Sequence, residues 1–166
     1  VASLVAIGAA AGLPDAEARS VRRNADATWA RMLREEGLEA FLAAWEAQPL
    51  FASQRQLPPA TQAWLRQLRE GQQAEGLALS LEAFGLGAQP PLHDALPAMA
   101  MPTWLLAGEH DSKFTAIAHD LAGRMPHASA MVVPDCGHNV PLENPAFLVS
   151  FLARTIAPAP LERSPA

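Results

Sequence analysis

The sequence predicts a parallel α/β fold interrupted by an all-helical insert, and three observations carry that expectation. Short apolar runs at residues 4–7, 103–107 and 131–133 each end at a glycine or proline. Residues 13–96 show helical spacing throughout. After Pro97 the pattern of strand, loop and helix occurs twice in succession, which is how parallel sheets with crossover helices read in sequence. The 166 residues, 17.7 kDa, suffice for one core or for part of a larger one.

Taken in chain order, Leu4-Val5-Ala6-Ile7 is a strand buried on both faces, released at Gly8. Asp15, preceded by Pro14, is a good N-cap, and Val21, Ala25, Trp29, Met32 and Leu33 then share a helix face that stops at Gly37. Leu38, Phe41, Leu42 and Trp45 mark a second helix, closed before Pro49. Pro58-Pro59 opens a third, on which Ala60, Trp64 and Leu68 repeat every fourth residue, and Trp29 and Trp64 are expected in the core. Leu77, Leu81 and Phe84 give a fourth helix, ended by Gly85. Thr103 to Ala107 forms a buried strand followed by a helix over about 115–125, and Met131-Val132-Val133 forms a strand followed by a helix over about 145–156. The expected organisation is therefore a core strand and its exit over 1–12, a helical cap over 13–96, core strands and helices over 97–157, and a frayed tail over 158–166.

Three strands leave sheet edges and faces open. An amino-terminal half of the same polypeptide, absent from these residues, or a partner chain is expected to complete the sheet. The apolar start lacks a basic n-region, so it reads as a strand and not as a signal peptide.

Half of the residues are hydrophobic and 17% are charged, a globular composition. The net charge of -5 argues against nucleic acid or an anionic membrane as partner, and no apolar run approaches a membrane span. A single cysteine, Cys136, allows no internal disulfide and fits a reducing, cytoplasmic setting. In its loop it reads as a small filler residue. His93, His119 and His127 lack metal-ligand spacing, and His110 with His138 supplies too few ligands, so no metal is expected. Without a glycine-rich phosphate loop, no nucleotide cofactor is expected either.

The chemistry concentrates in two loops. Gly108-Glu109-His110-Asp111 follows one strand and Asp135-Cys136-Gly137-His138-Asn139 follows the next, at the strand ends where open parallel sheets bind ligands. An aspartate beside a histidine fixes its tautomer and stabilises the imidazolium, so the other ring nitrogen can activate a hydroxyl. Asp111 and His138 are the candidate catalytic pair. Read singly, each is also an ordinary polar loop residue.

The segments Gly108-Glu109-His110-Asp111-Ser112-Lys113-Phe114, Pro134-Asp135-Cys136-Gly137-His138-Asn139 and Leu142-Glu143-Asn144-Pro145 resemble the carboxyl-terminal half of an α/β-hydrolase. With the helical insert and Gly87-Ala88-Gln89-Pro90, the Asp-Ser-Lys-Phe run more narrowly resembles the 2-succinyl-6-hydroxy-2,4-cyclohexadiene-1-carboxylate synthase family of menaquinone biosynthesis. The resemblance implies the carboxyl-terminal part of an α/β-hydrolase parallel sheet with an inserted helical cap. It also implies a lyase that removes pyruvate from a cyclohexene bearing several carboxylates.

In that superfamily the nucleophile precedes the acid and the histidine, on a Gly-x-Ser-x-Gly elbow. No serine of this chain stands in such a pentapeptide, so the nucleophile and oxyanion donors are expected upstream of Val1 and the chain alone is expected to be inactive. The resemblance further implies substrate-binding roles for Arg22, Trp45 and Arg69, facing the same cavity as His138, because arginine recognises carboxylates with a planar, permanently charged fork. Spacing alone offers plainer roles. Arg22 can pair with Asp26 at i, i+4, Arg69 can interact with a helix dipole, and Trp45 continues a core stripe. Two further readings stay open: an esterase or carbon-carbon bond hydrolase using the same acid and histidine, and a non-catalytic binding module.

Overall fold

A computed structural model describes residues 2–155, so the expected tail over 158–166 lies outside the described residues. Strand β1 (Leu4–Ile7) leads into a helical segment made of α1 (Ala16–Glu35), α2 (Gly37–Glu46), a 3-10 segment (Pro49–Gln56), α3 (Pro59–Glu70), α4 (Ala74–Phe84) and a second 3-10 segment (His93–Ala98). The chain then returns through β2 (Thr103–Gly108), α5 (Ser112–Arg124), β3 (Ala128–Val133), α6 (Val140–Glu143) and α7 (Pro145–Thr155).

The three strands form one parallel sheet in the order β1-β2-β3, with Leu4 opposite Thr103 and Gly108 opposite Val133. Because side chains alternate along a strand, β2 feeds two cores. Leu105 and Ala107 pack with Ala118, Leu121 and Met125, on the α5 side. Leu106 packs with Val133, Cys136, Val140 and Phe151, on the α7 side. Strand β1 is half-buried along its length rather than buried, and among the described residues it pairs with β2 alone.

The cap has its own core of Ala30, Leu33, Phe41, Leu42 and Ala78. Asp15 caps α1 as expected, accepting from the backbone N–H groups of Glu17 and Ala18. The buried face of α1 nevertheless centres on Asp26, Ala30 and Leu33, and Val21 and Ala25 are exposed. The cause is close backbone packing. A Cβ on Gly87 would lie 2.7 Å from the Arg23 nitrogen and 2.8 Å from the Arg19 carbonyl oxygen, so the 85–87 main chain packs on the Arg19, Arg23 and Asp26 face of α1 and leaves the Val21 and Ala25 face to solvent.

Helix α3 departs further. Ala60, Trp64 and Leu68 face solvent, Trp64 being 54% exposed and therefore not a core residue. Polar pairing decides the rotation. Arg66 and Arg69 both turn toward Glu46 of α2, at 3.2 and 2.9 Å, and Arg69 also donates to the buried Gln54. Phe84, at the end of α4, is likewise exposed. Trp29 keeps the expected cap-core position, edge-on to Phe41 and Trp45.

Arg34 clamps α1 to α4, binding Glu75 at 2.9 Å and Glu82 at 2.7 Å. Its hydrogen bonds hold both carboxyls below the ordinary glutamate range. A carboxyl with a lowered folded pKa adds stability above its unfolded value, and that stability is lost as pH falls through the folded value. The double variant Glu75→Gln/Glu82→Gln is therefore expected to lose less stability than the unaltered chain between neutral pH and pH below roughly 4.3. Urea denaturation at the two pH values checks this, and equal losses would show that the clamp is not linked to protonation.

Candidate active site

Because β2 and β3 are adjacent and in register to their last residues, the loops after them leave the same sheet edge side by side. The Glu109 N–H donates to the Val133 carbonyl at 2.9 Å and the His110 N–H donates to the Cys136 carbonyl at 3.0 Å. Only a glycine fits at 108, since a Cβ there would run into the carbonyl oxygens of Gly137 and Cys136.

Asp111 has two tasks. One carboxylate oxygen caps α5 by accepting from the Phe114 N–H at 3.1 Å, which starts the helix three residues before its expected beginning. The other lies 2.7 Å from Nδ1 of His138. A carboxylate only accepts, so Nδ1 carries the proton and Nε2 is left as the basic nitrogen. Asp111 is 6% exposed, and its buried charge is matched by these two donors.

The histidine loop is held by two carboxylates, of which sequence reasoning missed Glu143. Glu143 accepts from the backbone N–H groups of Gly137 at 2.7 Å and Asn139 at 3.0 Å, on either side of His138. Glu109 accepts from the N–H of Asp135, which has a positive φ of 55°. The imidazole stacks obliquely on Phe114, centroids 4.6 Å apart, and lies over the end of β1. There Gly8 has φ 55°, and a Cβ would come within 3.0 Å of His138 Cε1. Glu143 stands in the Leu-Glu-Asn-Pro run, yet no pattern rule would have assigned it this contact. Cys136 is fully buried, and burial pushes its thiol up to about 11, which suits an inert filler.

His138 and Asp111 open onto a cavity of about 1150 Å³ between the sheet edge and the cap. Arg22 and Trp45 line the same cavity from above. Arg22 donates through Nε to Asp26 at 2.8 Å, so the expected i, i+4 pair forms while both terminal nitrogens stay unbonded among the described residues. Trp45 stacks on Phe41 with centroids 5.3 Å apart, serving the cap core and the cavity together.

Arg69 does not line this cavity. It faces a neighbouring one of about 370 Å³, with its guanidinium bound to Glu46 and Gln54 and 5.9 Å from the Phe51 ring centroid. The expectation that all three residues share the His138 cavity is thus corrected for Arg69, because Glu46 and Gln54 already occupy its donors. Ser53 and Phe51, which the sequence did not single out, line the larger cavity. Ser53 meets the histidine loop directly, packing on Gly137 with its hydroxyl buried and unpartnered.

A parallel sheet, an aspartate-histidine pair on successive strand exits and a helical segment inserted ahead of them are the arrangement of an α/β-hydrolase. The alpha/beta hydrolase family model matches residues 1–151, and the chain belongs to that family. It is 41% identical over 153 residues to 2-succinyl-6-hydroxy-2,4-cyclohexadiene-1-carboxylate synthase of Salmonella heidelberg, covering 92% of this chain and 58% of that protein. The solved structure of MenH from S. aureus superposes with a TM-score of 0.88 at 31% identity, over 93% of this chain and 59% of that one. A thermophilic esterase from Thermogutta terrifontis, solved with malate bound, gives a TM-score of 0.75 at 26% identity, over 93% and 55% of the two chains. The chain thus spans somewhat more than half the length of the relatives it matches. Among the described residues no helix is long and apolar enough to cross a membrane.

Proposed function

We propose that these residues form the cap, acid and histidine portion of a carbon-oxygen lyase that eliminates pyruvate from 2-succinyl-5-enolpyruvyl-6-hydroxy-3-cyclohexene-1-carboxylate in menaquinone biosynthesis, in a cytoplasmic setting. One observation carries the reading: the hydrogen-bonded Asp111–His138 pair opens on the cavity lined by Arg22 and Trp45, in a chain 41% identical to the synthase.

The serine and the oxyanion donors come from the amino-terminal half of the same fold, supplied by sequence outside these residues or by a partner chain. His138 Nε2 takes the serine proton, and Asp111 stabilises the imidazolium that results. The serine oxygen then removes a ring proton beside an activated carbonyl. The freed electron pair moves through the ring and breaks the bond to the enolpyruvyl oxygen, and the leaving group becomes pyruvate on protonation. The terminal nitrogens of Arg22 are free to bind one substrate carboxylate as a fork, with Asp26 holding the guanidinium from behind.

Similarity to the Thermogutta esterase favours a second reading, acyl-ester or carbon-carbon bond hydrolysis, because the same pair supports acyl transfer. The two are separated by joining the chain to its nucleophile-bearing half and assaying both pyruvate release and simple ester hydrolysis. Pyruvate release is expected to dominate, and ester hydrolysis without pyruvate would favour the second reading.

A further inference from the structure

We infer that Arg55 is a carboxylate-binding, specificity-determining residue of this cavity, a role that rests on the elimination reading and extends it. A substrate with several carboxylates needs uncompensated positive charge, and the cavity's cations are not equivalent. The charge of Arg22 is offset by Asp26 at 2.8 Å. Arg69 is bound by Glu46 and Gln54 and faces the neighbouring cavity. Lys113 lines the site but lies 5.6 Å from the Phe114 ring centroid, where its ammonium has an aromatic partner. Arg55 remains. It is exposed, it lines both cavities, and among the described residues its guanidinium has no ion pair or hydrogen bond.

The backbone beneath it is nonetheless fixed. Gln62 donates to the carbonyls of Arg55 and Leu57 at 3.1 and 2.6 Å, and the neighbouring Gln54 is buried and bonded to Arg69. A free planar cation on a held main chain, at the mouth of a cavity that already contains a paired arginine, is suited to a second carboxylate of the same ligand.

Two measurements test this with Arg55→Gln and Arg55→Lys, both surface changes that leave the packing intact. In calorimetric titration of the full chain with propane-1,2,3-tricarboxylate, Arg55→Gln is expected to weaken binding about tenfold, with Arg55→Lys in between. Equal affinity in Arg55→Gln, or no binding by the unaltered chain, would overturn the inference. In the completed enzyme, KM for pyruvate release should rise about tenfold while kcat changes less than about twofold, and hydrolysis of a neutral ester should not change. An unchanged KM would remove the role from Arg55 and leave the elimination standing. Absence of pyruvate release from the unaltered enzyme would instead defeat the elimination reading, with the titration still deciding whether Arg55 binds carboxylate.

Discussion

Asp111→Asn is expected to lower pyruvate release by the completed enzyme about ten-thousandfold while leaving the fold nearly untouched. The asymmetry follows from the two tasks of one carboxylate. An asparagine can still cap α5, because its amide oxygen accepts from the Phe114 N–H as the carboxylate does. Toward His138 the same substitution offers an NH2 group, which favours the tautomer with Nδ1 unprotonated. Nε2 then carries the proton and cannot accept one from a serine. Asp111→Ala would remove the cap and the tautomer control together, so its loss of activity would be harder to read. Steady-state pyruvate release and a thermal melt, measured on both variants, separate the tasks. Near-normal turnover by Asp111→Asn would show that His138 is not the base.

Gly108→Ala is expected to cost about 3 kcal/mol or more and to pull the candidate pair apart. The added Cβ meets two backbone carbonyls, those of Gly137 and Cys136, which cannot rotate away as a side chain could. Relief requires the two loops to separate. That breaks the bonds from Glu109 N–H to Val133 and from His110 N–H to Cys136, and with them the platform that brings His138 to Asp111. Urea denaturation gives the stability loss, and the imidazole N–H resonance of His138 reports the contact. A variant within about 0.5 kcal/mol of the unaltered chain, with that resonance unshifted, would show that the loops tolerate separation.

How much of this was legible in the sequence depends on what each residue responds to. The positions of β1 and β2 and the N-cap at Asp15 follow local rules and were readable, whereas β3 begins at Ala128, three residues ahead of the expected Met131, because its first half alternates small and polar residues. The Asp111–His138 pairing was readable from topology, since residues after neighbouring parallel strands must exit at one edge. The rotation of α3 was not. Ala60, Trp64 and Leu68 form a correct helical repeat, yet Arg66 and Arg69 point inward because Glu46, on another helix, has to be matched. The same pairing removed Arg69 from the expected cavity. Glu143 was hidden for a similar reason, since its partners are backbone N–H groups of a loop whose path only the fold defines. Val21 is exposed because α1 turns its Arg19, Arg23 and Asp26 face to the Gly85–Gly87 main chain, which has no hydrophobic signature in sequence.

We propose that this chain carries the acid, the histidine and the helical segment above them, and that a serine from outside these residues acts as the nucleophile. Pyruvate release measured for residues 1–166 alone, and again after addition of the nucleophile-bearing half, tests that claim most directly. We expect no release from the chain alone and clear turnover from the combination. Turnover by the chain alone, or a combined protein that hydrolyses simple esters and releases no pyruvate, would contradict it.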